Sequence, residues 1–463
     1  MKKQIIFINN SDMFLDGKKY SLSDLDSEKV ELIIRERIKD YHIDNVFENE
    51  LFIKYSHSLE YLKQLFTQFD GKICIRRGHK GNSFLVSIIK DSLLANRKKR
   101  FFPSILNSLK SFIVLLVSYV YILFRICILS RDKVDFNYYD SLLVTRSAAD
   151  KKVLRTIDDK KCLVLYDKPK IQGNFYSILP MKTRIGLISK AFVRSFSILH
   201  RLKRDVYQKY GYYCCLDTTS FYSRRLVHTL AYEYILEYVA CFFSNKKIIS
   251  ADNLDRFALI QEKVAKKYNI TLICIPHGIE YGFILPHCFT GDTFYCTTQF
   301  SKDYLNKMYD CSKFLYDASL AKKMFHVGVD SNNQPIGKVV YFSEPRESYV
   351  NIIIIKTVIA ALKPRGLKVC LKLHPGDNKN DYKEIIDEVD LIQSFDDSIS
   401  NSIVIARKST VLIEALYNNS IPIAVLINEK DKFIFQTFPS LQDERILKLY
   451  DLEMLKIKIN SIL

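Results

Sequence analysis

Three short segments pair a chemically capable side chain with a residue that controls the backbone around it. In Ile275-Pro276-His277-Gly278-Ile279-Glu280 an apolar run ends in histidine and glycine. Glycine permits the sharp turn that would present His277 at a strand tip. Imidazole is the side chain best suited to take a proton near neutral pH. In Lys372-Leu373-His374-Pro375, proline holds His374 in extended backbone and ends the strand, placing the ring where it can donate to a phosphate oxygen. In Arg407-Lys408-Ser409-Thr410, Ser409 or Thr410 is expected to cap a helix reaching Asn418. The N–H groups and positive dipole end of that helix suit a phosphate, and two adjacent cations reinforce it. Each segment has a plainer reading: a structural histidine, a strand terminator, an ordinary cap. Together, His374 and the hydroxyls on neighbouring units describe a pocket for a nucleotide's phosphate.

The elements that must position these residues alternate. Val339–Phe342, Lys368–Leu373, Ile403–Ala406 and Ile421–Ile427 read as buried strands, with helical patterns at about 349–362, 381–389 and 409–418 between them. Earlier strand candidates are Gln4–Ile8, Lys72–Ile75, Ser141–Thr145, Cys162–Tyr166, Ile248–Ser250 and Thr271–Ile275, with helices at Leu226–Phe243 and Leu254–Tyr268. Such alternation implies α/β units with parallel sheets covered on both faces. Asn332–Pro335, after Val327-Gly328-Val329, is the expected linker, dividing an N-terminal domain, 1–330, from a C-terminal one, 331–463. Two such domains would enclose a cleft lined by strand carboxyl ends, where open α/β sheets bind ligands.

With 463 residues, 48% hydrophobic and 26% charged, the chain can bury a large core, which excludes wholesale disorder. No repeat of solenoid or propeller length is visible. The eleven cysteines include no CxxC pair, so zinc-ribbon and thioredoxin-like chemistry is not expected. Their scatter, and an N-terminal apolar run too short for a signal peptide, point to a reduced, cytoplasmic protein. A net charge of +18 predicts an anionic partner. Nucleic acid is disfavoured, because no recognition helix or RNP-like motif is present.

The densest basic clusters lie beside apolar helices. Ser111–Phe124 is uncharged but interrupted by Arg125, short of the roughly 20 apolar residues that a spanning helix needs. Arg97-Lys98-Lys99-Arg100 precede it and Arg131 follows; Lys182–Arg204 is basic and amphipathic. Stretches 97–131 and 182–204 therefore point to peripheral attachment at the inner, anionic face of the cell membrane.

The pair His374-Pro375 and Ser409-Thr410 resembles the HP and S-S/T motifs of bacterial sialyltransferases, polysialyltransferases and Kdo transferases. The same pair occurs in CDP-glycerol glycerophosphotransferases. The stretch Ser250-Ala251-Asp252 through Ile275-Pro276-His277-Gly278 is similar to capsule and surface-polysaccharide transferases. The resemblance spans about 245–427 and implies a GT-B enzyme, two Rossmann-like domains facing an interdomain cleft. It makes His374, Pro375, Ser409 and Thr410 donor-nucleotide residues, joined by Ser343 from its position alone. The acidic triplet of sialyltransferases and the Trp-His-Gly of the glycerophosphotransferases are absent, which leaves the catalytic base open among Asp252, His277 and Glu280.

The implied reaction is inverting transfer of a sugar from a CMP-activated donor, of sialic acid or Kdo type, to a hydroxyl of a lipid-linked or oligosaccharide acceptor in a bacterial surface glycan. Asp252 or His277 would take the acceptor proton, and His374 with the Ser409 and Thr410 hydroxyls would stabilise the departing phosphate. GT-B enzymes generally use no metal or other cofactor in this role. Asp396-Asp397 is expected to be a loop rather than a metal site. The alternatives are a CDP-glycerol or CDP-ribitol phosphotransferase and a GT-B enzyme using a UDP- or GDP-sugar.

Overall fold

The computed structural model describes the chain from Phe102 to Leu463, apart from 147–149, 158–159, 168–172, 211–215, 254, 281, 283–287, 328–336 and 345–347. Before Phe102 it describes only four strands: β1 (Gln4–Asn9), β2 (Asp12–Leu15), β3 (Lys18–Tyr20) and β4 (Ile73–Arg77). β1, β2 and β3 form an antiparallel meander. The expected linker at Asn332–Pro335 and the basic run Arg97–Arg100 lie outside the described residues.

Two six-stranded sheets in an α/β arrangement carry the rest. The first contains β5 (Ser141–Thr145), β6 (Cys162–Tyr166), β7 (Lys247–Ser250), β8 (Thr271–Cys274), β9 (Thr293–Tyr295) and β10 (Phe314–Leu315). Their order is β10-β9-β8-β7-β5-β6, with every pairing from β6 to β9 parallel. The second contains β11 (Lys338–Phe342), β12 (Val369–Lys372), β13 (Val389–Leu391), β14 (Ser402–Ala406), β15 (Ile421–Val425) and β16 (Leu447–Leu449). It runs β13-β12-β11-β14-β15-β16, parallel throughout.

The central strands read as continuous apolar runs because helices bury both their faces. Every residue of β5 and of β14 is buried. In the second sheet Tyr341, Val369, Leu371, Ile405 and Ile423 pack with Ile354, Ile355 and Val358 of the helix Ser348–Leu362.

Two compact units divide the described residues. The first takes in Phe102 through His277 and the residues leading to Tyr295; the second takes in the segment beginning at Gly278 and all of Cys296–Leu463.

Several elements differ from expectation. The pattern at 381–389 is not a helix but two 3-10 turns, Lys379–Tyr382 and Ile386–Glu388, followed by the edge strand β13. Only Tyr382, Ile385 and Val389 of that stretch are deeply buried, which is too few for an amphipathic face. Asp396 and Asp397 lie on the short helix Phe395–Ile399, where the Ser394 hydroxyl accepts from the Asp397 N–H. The helix expected over 409–418 is six residues, Val411–Leu416.

Candidate functional site

Numbered within itself, the first sheet has the strand order 2-1-3-4-5-6. The order in which successive strands are added reverses between β5 and β7, which run parallel, and ligands in open α/β sheets bind at the carboxyl end of such a switch point. Arg146 follows β5 directly, Asp167 follows β6, Asp252 follows β7 by two residues, and His277 lies three beyond β8. Parallel strands bring all four to one edge.

Arg146 organises this cluster. Its backbone N–H donates to Asp150, and its Nη1 donates to Asp255 Oδ2 at 3.1 Å and lies 3.7 Å from Asp252 Oδ2. The guanidinium stacks on Phe257, 3.2 Å from the ring centroid. Burial opposes its charge, but Asp255 and Asp252 outweigh burial and hold it above the usual arginine value. Asp255 also caps the helix Arg256–Tyr268, accepting from the N–H groups of Phe257 and Ala258.

Asp252 behaves differently. Burial first, and then the neighbouring Asp255 charge, push its carboxyl up to about 7, against the pull of Arg146. His277 Nδ1 sits 2.8 Å from the Ala251 carbonyl, which can only accept, and 3.9 Å from Asp252 Oδ1. In the neutral ring the proton therefore stays on Nδ1 and the lone pair on Nε2. The His277 side chain is 36% exposed, whereas that of Asp252 is 13% exposed. The arrangement offers a half-exposed base held by a carbonyl, next to a carboxyl that titrates near neutrality.

Asp150, Asp252 and His277 each bring a possible ligand atom within 4.8 Å of the others. The Arg146 guanidinium already lies beside Asp252 and its backbone N–H bonds Asp150, so a metal there would have to compete with both. Behind the cluster, Asp167 pairs with His228 Nε2 at 3.1 Å.

The second unit's sheet reads 3-2-1-4-5-6, with its switch point between β11 and β14. Ser343 and Glu344 follow β11, His374 and Pro375 come after β12, and Arg407–Thr410 follow β14. Ser343 Oγ accepts from the His374 N–H at 2.9 Å and donates to Asp377 Oδ2, which also accepts from the Tyr382 hydroxyl at 2.9 Å. His374 Nδ1 accepts from the Gly376 N–H at 2.9 Å. Its neutral ring therefore carries the proton on Nε2, a donor, on an exposed side chain. Pro375 is exposed beside it.

The cations next to the hydroxyls do not reinforce a phosphate site. Arg407 is wholly buried, donating from Nε to the equally buried Asp431. Lys408 Nζ lies 2.7 Å from Asp431 Oδ1 and also pairs with Glu344. Burial alone would raise both carboxyls, but Lys408 and Arg407 hold Asp431 and Glu344 below their ordinary values. The reason is local: β14 ends inside the fold, so charges at its tip must be paired. Thr410, at the cap position, makes no side-chain cap bond; Ser409 Oγ accepts weakly from the Val411 N–H at 3.4 Å. The short helix beyond is not a phosphate site by itself.

Glu280 belongs to neither cluster. It is 0% exposed, and its carboxylate takes hydrogen bonds from the Thr297 N–H, Ser301 and Ser440, with Thr297 Oγ1 at 3.0 Å. Burial raises its pKa, offset in part by the Ser440 and Thr297 bonds. Enclosed in this way it has no open face for an acceptor hydroxyl, so His277 and Asp252 are the better-placed groups of the three. Sequence reasoning missed Arg146, Asp150 and Asp255. The signal for Arg146 was its place directly after a buried strand; nothing local marked the two aspartates.

No family model and no curated protein matches the chain. Solved structures with partial likeness include MnaA of S. aureus with UDP, 12% identical, covering 66% of this chain and 88% of that one at a TM-score of 0.40. HepE of Anabaena in complex with UDP-glucose is 11% identical, with coverage of 69% and 88% and a TM-score of 0.38. A UDP-N-acetylglucosamine 2-epimerase from Rickettsia bellii is 12% identical, with coverage of 70% and 95% and a TM-score of 0.34. At such scores these likenesses carry no argument; the topology above rests on the strand pairings.

Proposed function

We propose that the chain is a GT-B glycosyltransferase moving a sugar from a nucleotide donor to a hydroxyl acceptor. The observation that carries this reading is the His374 ring, exposed at a strand end with Nδ1 occupied by the Gly376 N–H and Nε2–H left to donate. That donor suits the anionic oxygen of a departing nucleotide. In the first unit, His277 Nε2 takes the acceptor's hydroxyl proton, while Asp252 tunes the charge beside the ring. The acceptor oxygen bonds to the anomeric carbon as the bond from that carbon to the donor phosphate oxygen breaks, and the electron pair leaves with the nucleotide. Ser409 and Thr410 donate to that phosphate, and Ser343 positions His374 through its backbone N–H.

The resemblance of His374-Pro375 and Ser409-Thr410 favours a CMP-activated sialic acid or Kdo donor and a surface-glycan acceptor. A thermal-shift and calorimetric comparison of CMP, CDP, UDP and GDP tests this. CMP alone should stabilise the protein, and His374→Ala should weaken binding about 10- to 100-fold, the worth of one hydrogen bond to a charged group. A preference for CDP would move the reading to alditol-phosphate transfer, and a preference for UDP or GDP would replace the donor. Unchanged binding by His374→Ala would remove the pocket.

A further inference from the structure

The helix Phe102–Cys127 presents two different sides. Leu115, Ile122 and Ile126 are buried. Tyr119 stacks on Phe192 with centroids 4.6 Å apart and bonds Ser189 at 2.8 Å, and Phe112 meets Phe196. These contacts run in opposite chain directions, so the helix packs antiparallel to Met181–Tyr210. Its far end is fixed by buried Arg184, which donates to the carbonyls of Ile126, Leu129 and Ser130.

The other side is apolar and exposed. Leu109, Ile113, Val117, Val120, Phe124 and Ile128 repeat at three- and four-residue spacing, Val117 and Phe124 being 62% and 68% exposed. The neighbouring helix adds exposed Ile185 and Val193, with Lys182, Lys190 and Arg194 exposed among them. Lys190 and Arg194 line an open groove with Val193 and Tyr234, and the Lys190 ammonium stands 4.3 Å from the centroid of Tyr234. The first helix contains no acidic residue and the second contains one, Asp205.

We propose that this face lies in the headgroup layer of an anionic bilayer, with the apolar stripe entering the acyl boundary and Lys182, Lys190 and Arg194 meeting lipid phosphates. Charge complementarity chooses the occupant: an apolar stripe alone would suit a second copy of the chain, but the exposed cations flanking it, on helices that carry a single acidic residue between them, repel one. The face lies on the bilayer rather than spanning it. Ser108–Ile126 is long and apolar enough to cross, but its packing partner, Met181–Tyr210, carries cations along its length and cannot follow it into hydrocarbon. The inference is independent of the transferase reading.

Vesicle co-sedimentation of the full chain tests it, using phosphatidylcholine with and without phosphatidylglycerol. The chain should bind the anionic vesicles roughly tenfold or more tightly, less so as salt rises, and alkaline carbonate should release it. The pair Val117→Asp and Phe124→Asp should abolish binding to both vesicles. The pair Lys190→Glu and Arg194→Glu should remove only the anionic preference. All four positions are exposed, so melting temperature and nucleotide binding should stay at parental values. Equal or absent binding to both vesicles, retention through carbonate, a dimer dissolved by Val117→Asp and Phe124→Asp without vesicle binding, or binding to an RNA homopolymer instead of vesicles would each overturn the proposal.

Discussion

Both units gather polar side chains at the switch point of a parallel sheet, yet they treat charge in opposite ways. In the second unit Arg407, Lys408, Asp431 and Glu344 neutralise one another below the surface. What remains outward at that edge is the exposed His374 ring with the half-buried Ser409 and Thr410 hydroxyls. In the first unit Asp252 is buried beside the Asp255 charge, with which it shares the Arg146 guanidinium, and so it titrates near neutrality beside a half-exposed histidine. A closed network fixes shape, whereas an under-compensated carboxyl keeps a proton within reach of chemistry.

The largest effect should come from opening the closed network. Arg407→Ala leaves Asp431 buried with Lys408 and the Asn428 amide, and chemical denaturation should register a loss of about 3–5 kcal/mol. Arg407→Met combined with Asp431→Leu should recover much of it, because apolar replacement removes both desolvated charges. A double variant no better than the single would mean that the network does more than satisfy buried charge.

Next comes Asp252→Asn, which separates the two units by pH. The folded-state pKa of Asp252 is raised, so its contribution is complete below the unfolded value near 4 and is lost as pH rises through about 7. Asparagine should therefore match the parent in acid and exceed it above neutrality by up to about 4 kcal/mol. Thermal melts across that range would show the divergence; a pH-independent difference would place the carboxyl in a compensated site like that of Asp431. If His277 is the base, His277→Gln should cost at least about 100-fold in transfer rate while leaving nucleotide affinity intact.

The smallest effect should be at Thr410. Its side chain makes no cap bond, so Thr410→Ala should change stability by less than about 0.5 kcal/mol. A loss of 1 kcal/mol or more would show that the hydroxyl caps the helix after all.

The central strands were legible because burial on both faces leaves an unbroken apolar run: Ser141–Thr145 matches residue for residue, and the expected Ile403–Ala406 lies within Ser402–Ala406. The edge strands of the second sheet were not, although the edge strand Cys162–Tyr166 of the first was. Val389–Leu391 and Leu447–Leu449 are three residues long and half-exposed, too short for a period to show. His277 and His374 stood out because glycine and proline beside them mark strand ends. Arg146 and Asp255 did not, since their partnership joins residues 109 positions apart.

The sequence by itself determined the alternation of strand and helix, the histidines at two strand tips and the basic character of the amphipathic stretches. Only the tertiary structure decided which charges are available. Arg407 and Lys408 look like ligands in the sequence and are consumed by Asp431 and Glu344 in the fold; Asp252 is one of three candidate bases in the sequence, and only its burial beside Asp255 makes it a neutral-range acid. Spacing along a chain reports which face a residue takes, whereas protonation depends on burial and on every charge within a few ångströms, and those neighbours come from distant strands.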